Sequence, residues 1–240
     1  DDKPVDNNWL RELVKVIESN KKIGAVFAKK MKWHNPLKVD AKGMTINPAG
    51  FVAGPTNLGD ERPSPCLIWQ TPVLFRRELI DKIGSSFFDD DYIILHDDTD
   101  SSIRIWLAGY KILYVPTSIV VHKRSATMKK LPVEFVAFHG RKNIIQTLIK
   151  CYQFKNLVKW MPITLMFYLA SVIYYLKIHR IDQARATIRA IAWNLSNIKT
   201  LIWKRRHIQK NRRVSDDIIL NLMKSFRLTD LISRRKVWPR

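Results

Sequence analysis

The stretch that decides the fold runs from residue 88 to residue 116 and reads FDDDYIILHDDTDSSIRIWLAGYKILYVP. Its apolar run at 92–95 predicts a short buried strand, and residues 100–107 predict a helix that ends at Gly109. Residues 110–115 predict another strand, which Pro116 terminates. A strand, a helix and a strand in succession are typical of an α/β domain.

The sequence on either side extends this pattern. Asn8 is a candidate N-cap for an early helix. Three short apolar runs predict further strands, at residues 23–28, 73–77 and 119–121. Residues 33–66 are rich in Pro, Gly, Asn and Asp, which predicts that this stretch is mostly loop, of the kind that often carries function. Residues 133–204 are compatible with helix, except for a predicted break at Pro162.

The charge of the chain is unevenly distributed. Its 240 residues have a formal net charge of +21, from 42 Lys and Arg against 21 Asp and Glu. Residues 1–122 hold 16 basic and 16 acidic side chains, so residues 123–240 carry the whole excess. A content of 46% apolar residues excludes a disordered polybasic tail. We therefore expect a neutral, globular front half, residues 1–122, and a cationic back half, residues 123–240. The back half would attract phosphate, anionic lipid or nucleic acid.

Further features of the sequence narrow the class of protein. Cys66 and Cys151 lie far apart and form no CxxC pattern, which excludes a disulfide scaffold and a zinc ribbon. The sequence has no helix-turn-helix, RNA-recognition or zinc-finger pattern, so nucleic acid is not an expected partner. The chain opens on Asp1 and Asp2 without a Met, and we expect it to be part of a longer protein.

The acidic residues of the front half have two interpretations. The run at 89–91 has the pattern of a solvated turn, whereas Asp97 and Asp98 directly follow the predicted strand. Burial raises the pKa of a carboxylate and suits it to act as a general base. Asp100 opens the predicted helix, so it is a candidate N-cap as well as a candidate site residue.

A single histidine, His122, ends the last predicted strand of the front half. Taken alone, a histidine in this position is more often a packing or solvent-facing residue than a ligand. Combined with a carboxylate such as Asp2, its imidazole would form a mixed N/O site suited to Mn²⁺ or Mg²⁺ with a diphosphate.

The order of these motifs resembles that of the family 2 glycosyltransferases, which have the GT-A fold. Residues 88–100 are similar to the family's acceptor-side motif FDExFFxYxEDxDL, and residues 103–116 to its continuation LRxxxAGYxIxYVP. The family then has a His on the next strand, where residues 120–122 read Val-Val-His. Residues 2–10 resemble the end of its DxD motif and the start of the next helix.

The resemblance implies two regions. Residues 1–125 would form the metal and acceptor side of a partial GT-A domain, which is Rossmann-like. Residues 126–240 would form a helical, basic region that associates with a membrane. The nucleotide-binding βαβ units would lie upstream of Asp1, so we expect this chain alone to be inactive.

The resemblance also assigns roles to individual residues. Asp2 matches the last Asp of DxD, which binds the metal, and Asp1 matches the middle position on the donor side. His122 matches the family's metal-ligand His. Asp98 matches the general base that deprotonates the acceptor hydroxyl, and Asp97 replaces the usual Glu beside it.

The acceptor pocket is where the sequence departs from the family. Trp69, Gln70 and Thr71 stand where a small Gly-Ala pair is usual, and with Asp100 they are predicted to contact substrate. The implied reaction is inverting sugar transfer. The metal neutralises the leaving diphosphate while the base activates the incoming hydroxyl in line, so that one displacement inverts the anomeric centre.

Two segments of the back half indicate membrane association. Residues 160–176 are uncharged, and a bilayer span takes about 20 apolar residues. We expect an interfacial helix with Trp160 at headgroup level, while a spanning helix and a buried core helix stay open. Residues 204–213 hold six cations and no acid, a run that would bind anionic lipid. It begins with Lys204, Arg205 and Arg206.

The basic helical pattern resembles the C-terminal extension of rhamnosyltransferase-type members of the family. We therefore expect a metal-dependent glycosyltransferase at the cytoplasmic face of the cell membrane. Its donor would be dTDP-rhamnose or a similar sugar nucleotide, and its acceptor a glycan or a lipid-linked molecule in cell-surface polysaccharide synthesis. The alternative is a basic protein that binds nucleic acid or membrane without catalysis.

Overall fold

The computed structural model describes residues 2–84, 86–123 and 130–226. Its centre is a mixed six-stranded sheet, and two further strands form an antiparallel ribbon. The strands are β1 (Asp2–Pro4), β2 (Ile23–Lys32), β3 (Asn35–Ala41), β4 (Met44–Ile46), β5 (Val52–Pro55), β6 (Ser64–Pro65), β7 (Val73–Phe75) and β8 (Lys111–His122). The main order is β1-β8-β2-β3, while β6 pairs with β8 and β7 with β2. The central strands β2 and β8 run parallel.

Helices flank the sheet in the front half and make up the back half. They are α1 (Trp9–Glu18), α2 (Leu79–Lys82), α3 (Asp97–Leu107), α4 (Val133–Cys151), α5 (Phe154–Lys177), α6 (Ile181–Ser196), α7 (Ile198–Asn211) and α8 (Asp217–Leu222). Helix α1 packs Leu13 and Ile17 against the sheet, as its apolar spacing predicts. The predicted α/β class with an α-helical, basic extension is confirmed.

One hydrophobic core joins the sheet to the helices of the back half. It contains Phe27 of β2 and Tyr114 of β8 together with Leu148 of α4, Tyr168 of α5 and Ile219 of α8. The two predicted regions therefore pack against each other, and their division at residue 125 stays a prediction.

Four strands, β3, β4, β5 and β6, lie within residues 33–66, which the sequence predicts to be mostly loop. Among the strands that the structure describes, β3 pairs only with β2, at the edge of the sheet, and most of its side chains face solvent. Leu37, for example, is 92% exposed. Edge strands held by backbone hydrogen bonds need no buried face, so they leave little apolar alternation in a sequence.

The predicted strand at 92–95 is a turn instead. Leu95 and His96 have positive φ angles of 62° and 64°, and Ile93 is 66% exposed. The left-handed backbone turns the chain abruptly into α3, which therefore begins at Asp97 with His96 as its N-cap. Asp100 lies inside the helix, so its candidate role as N-cap is also wrong.

Neither proline interrupts its element as predicted. Strand β8 runs through Pro116, because its pairing with β2 jumps from Val115 to Ile119 and leaves the proline in a bulge. Pro162 lies inside the continuous helix α5. The helix continues through Pro162 because the hydrogen bond that the proline cannot donate is one local loss within 24 helical residues.

Candidate functional site

The site begins with the pairing of two strands whose residues are distant in sequence. Asp2 lies opposite His122 in the antiparallel ladder of β1 and β8. Side chains of directly opposed residues lie on the same face of a sheet. As a result, His122 Nδ1 lies 2.6 Å from Asp2 Oδ1. The structure therefore brings together the two residues that the sequence predicted as metal ligands.

A lysine that the sequence analysis missed lies beside this pair. Lys30 belongs to β2, which neighbours β8, and its Nζ is 3.9 Å from Asp2 Oδ1. The same Nζ donates a hydrogen bond of 3.1 Å to Thr71 Oγ1. Lys30 is only 7% exposed. The sequence analysis did not single out Lys30, because it predicted a strand that ends at residue 28. The signal that could have identified it is its position two residues beyond that apolar run, in the same strand.

The predicted general base, Asp98, lies in the first turn of α3. Its Oδ1 accepts a hydrogen bond of 2.6 Å from the backbone N–H of Thr99 and one of 3.2 Å from the Thr99 hydroxyl. Burial and the neighbouring charge of Asp97 raise the pKa of Asp98 to about 6. The bonds from Thr99 and the charge of Lys30 oppose this rise. At neutral pH Asp98 is therefore an ionised carboxylate that accepts a proton readily.

The partner carboxylate, Asp97, is half-buried at the start of the helix, and its backbone C=O accepts a hydrogen bond from Ser101 Oγ at 2.7 Å. Both acidic residues lie in the first turn of α3, where the backbone N–H groups have no partner within the helix. Asp1 lies outside the described residues, so its predicted contact with the donor stays a prediction.

Asp100 is engaged inside the protein. It is 1% exposed, and its two oxygens lie 2.8 Å from Arg104 Nε and 2.9 Å from Lys150 Nζ. The charges of these two cations outweigh burial and lower the pKa of Asp100. A predicted substrate contact for Asp100 does not fit this burial, and the residue instead anchors α3 to α4.

The acidic run at 89–91 is not a solvated turn either, because Asp89 is 7% exposed. Lys150 Nζ lies 2.5 Å from Asp89 Oδ2, and Lys204 Nζ lies 2.6 Å from Asp91 Oδ2. Burial alone would raise the pKa of Asp89, but the charges of Lys150 and Lys204 hold it well below its usual value. Cations of α4 and α7 thus neutralise acids of the front half.

The predicted acceptor residues lie next to α3. Trp69 is 5% exposed, and its indole Nε1 donates a hydrogen bond of 3.1 Å to Ser101 Oγ. Gln70 has a buried Oε1 that makes no hydrogen bond within the described residues. Thr71 Oγ1 accepts the hydrogen bond from Lys30 Nζ. Trp69 therefore packs against the helix that carries Asp98, and Thr71 contacts the lysine beside Asp2.

The predicted membrane residues differ in their exposure. Lys204 forms the ion pairs described above, and Arg205 donates hydrogen bonds of 2.6 Å to the backbone carbonyls of Ile149 and Tyr152. Trp160 is partly buried and packs against the core. Of these four residues only Arg206 is exposed. The basic run is therefore not a uniformly exposed patch.

The metal-binding capacity of the site rests on two residues. Asp2 offers a carboxylate oxygen and His122 an imidazole nitrogen, a donor set that suits Mn²⁺ or Mg²⁺. No group of three or more His, Cys, Asp or Glu residues that could hold a metal occurs among residues 2–84, 86–123 and 130–226. The two residues fit as part of a coordination shell whose remaining ligands would come from water or a diphosphate.

No family model matches the sequence, and no curated protein matches it. Among solved structures, the chain is similar to the crystal structure of GalNAc-T7 with UDP, GalNAc and Mn²⁺, with a TM-score of 0.47 and 15% sequence identity. The alignment covers 82% of this chain and 39% of that chain. This chain thus spans about two fifths of the length of that protein, and the chemistry of the site rests on its own residues.

Proposed function

We propose that the protein is a glycosyltransferase of the GT-A type that transfers a sugar from a nucleotide-sugar donor to an acceptor hydroxyl. The observation that carries the proposal is the convergence of Asp2, Lys30 and His122 on one face of the sheet, with Asp98 close enough for the charge of Lys30 to act on it. These residues supply an anion-binding cation, a metal-binding pair and a base of suitable pKa.

In the proposed reaction Asp98 acts as the general base. The acceptor oxygen forms a bond to the anomeric carbon as the bond from that carbon to the donor's phosphate oxygen breaks, and the hydroxyl proton passes to Asp98. Because the hydroxyl enters opposite the leaving group, the configuration inverts. A carboxylate with a pKa of about 6 is ionised at pH 7 and still accepts a proton in the transition state.

Lys30, Asp2 and His122 would act on the leaving group. The ammonium of Lys30 lies in a mostly buried setting, where a fixed positive charge stabilises developing negative charge strongly. Asp2 and His122 would hold a divalent cation, Mn²⁺ or Mg²⁺. When bound, that cation supplies further positive charge to the diphosphate.

We further propose that Trp69, Gln70 and Thr71 form the acceptor side. Trp69 is held in place by Ser101, so its position is tied to the helix of the base. The unpaired oxygen of Gln70 can accept a hydrogen bond from a sugar hydroxyl. A sugar nucleotide such as dTDP-rhamnose as donor, and a glycan or lipid-linked acceptor, are the substrates that we would test first.

The test compares two aspartate variants of the intact protein in an assay of nucleotide diphosphate release. Asp98→Asn keeps the oxygen that accepts from Thr99 but cannot accept a proton, so transfer should fall by about 10²–10⁴-fold. The matched control is Asp90→Asn, which neutralises an exposed carboxylate of the same acidic region. Unchanged transfer in Asp98→Asn would exclude Asp98 as the base, and an intact protein that transfers sugar from no donor would favour the non-catalytic alternative.

A further inference from the structure

Helix α5 has one face attached to the protein. The hydroxyl of Thr164 donates a hydrogen bond of 2.9 Å to the backbone C=O of Ala49. The ring of Tyr168 packs edge-on against Phe51 with 5.7 Å between ring centroids. Both residues of the helix are buried, at 0% and 3% exposure. These contacts fix the orientation of α5 about its own axis.

The opposite face of α5 is apolar and exposed. Val158, Met166, Leu169 and Ile173 are between 56% and 63% exposed. Their spacing of eight, three and four residues places them along one side of a helix. The helix carries no charge between residues 160 and 176. A continuous exposed apolar stripe of this kind on a folded protein marks an interaction surface.

The charges around the stripe indicate its partner. Exposed lysines lie at both ends of the helix, Lys155 and Lys159 at the start and Lys177 at the end. Between residues 154 and 211 the sequence contains eleven Lys and Arg residues but only one acid, Asp182. Apolar side chains bordered by cations complement a surface with an oily interior and anionic headgroups.

We propose that the outer face of α5 inserts into the surface of an anionic lipid membrane, with the helix lying parallel to the bilayer. The proposal is independent of the proposed sugar transfer, since none of the residues of the stripe lies in the candidate site. It also replaces the sequence prediction for residues 204–213. Lys204 and Arg205 are engaged inside the protein, so that run contributes to the positive field through its exposed members, Arg206, Lys210 and Arg213, rather than as a complete anchor.

The attached face distinguishes this placement from a membrane span. Within the described residues one helix, α5, is long and apolar enough to cross a bilayer, with 24 residues and a mean hydropathy of 1.5 over its most apolar 18 residues. Crossing would expose the inner face to lipid and separate Thr164 and Tyr168 from the residues they contact. A helix lying in the interface keeps these contacts and buries only the outer stripe.

The experiment measures binding of the intact protein to vesicles by flotation. Phosphatidylcholine vesicles containing phosphatidylglycerol should bind the protein, and binding should weaken as salt is raised because exposed charges are screened. The combined variant Met166→Gln, Leu169→Gln and Ile173→Gln should bind at least tenfold more weakly, because it removes the apolar side chains that enter the lipid. Leu37→Gln is the matched control, since Leu37 is 92% exposed but lies on β3 of the neutral half.

A fluorescent label gives a second measurement that does not depend on weakened binding. Cys66 and Cys151 are buried, so a cysteine introduced by Leu169→Cys can be labelled selectively with a polarity-sensitive dye. Its emission should shift to the blue on addition of anionic vesicles, whereas a dye placed by Leu37→Cys should not change. Circular dichroism of each variant checks that the fold is retained.

Three results would overturn the proposal. The first is equal vesicle binding by the glutamine variant and the wild type. The second is salt-independent binding to pure phosphatidylcholine vesicles that resists alkaline extraction, which indicates a span. The third is a shift of the dye at position 169 without lipid that depends on protein concentration, which indicates that a second copy of the chain covers the stripe.

Discussion

The front and back halves of the molecule use their charges differently. In the front half, Asp2 lies 3.9 Å from Lys30, whose charge also acts on Asp98, and these three residues belong to the candidate site. In the back half the cations divide into two groups. Lys150 and Lys204 point inward and neutralise acids of the front half, while others such as Arg206 face solvent. A net charge assigned to a stretch of sequence therefore does not tell where that charge acts.

The largest predicted effect concerns the two cations that point inward, Lys150 and Lys204. Lys150→Met should lower the free energy of unfolding by about 3–5 kcal/mol, because Asp89 and Asp100 would remain buried without the cation between them. Chemical denaturation measures this change. Lys210→Met removes an exposed cation of the same half and should change it by less than about 0.5 kcal/mol. Equal effects of the two variants would show that the division into inward and outward cations is wrong.

A second prediction concerns the lysine of the front half. Lys30→Met should reduce the rate of sugar transfer by about 10²–10³-fold, because it removes a fixed positive charge next to the proposed diphosphate site. The length and apolar stem of the side chain are kept, so the fold should be retained. Kinetics in the intact protein would check the effect, and a thermal melt would check the fold. A variant that is folded and fully active would show that Lys30 does not stabilise the leaving diphosphate.

A third prediction concerns the effect of Asp98 ionisation on the free energy of unfolding. The folded-state pKa of Asp98 is raised to about 6, so its ionisation disfavours the folded state as pH rises from about 4 to 6. Asp98→Asn should therefore stabilise the protein at pH 8 by about 1–3 kcal/mol and have little effect at pH 4. Urea denaturation at both pH values provides the comparison. A variant destabilised at pH 8 would mean that Asp98 is held as a structural carboxylate.

The sequence predicted those parts of the site that lie in recognisable local patterns. A helix over 100–107 and strands at 110–115 and 119–121 followed from local patterns, although α3 begins at Asp97 and β8 joins the two strands into one. The proximity of Asp2 and His122 followed from the order of motifs. Lys30 and the contact between Ser101 and Trp69 were missed, because they depend on which elements become neighbours in space.

The inward cations could not have been predicted for the same reason. Lys150 and Lys204 have ordinary helical sequence contexts, and a lysine on a helix is usually solvated. Only the packing of α4 and α7 over the acidic run shows that they are ion-paired. The left-handed turn at Leu95 and His96 was also not predicted, since a short apolar run is consistent with a buried strand and its periodicity alone does not establish one.

The most direct test of the central claim is the pH dependence of kcat/KM for sugar transfer by the intact wild-type protein. If Asp98 is the base, kcat/KM should be constant near pH 7–8 and fall about tenfold per pH unit below a pKa of about 6. A profile that stays flat from pH 8 down to pH 5 would contradict the account, because the proposed base would then be protonated without any loss of activity.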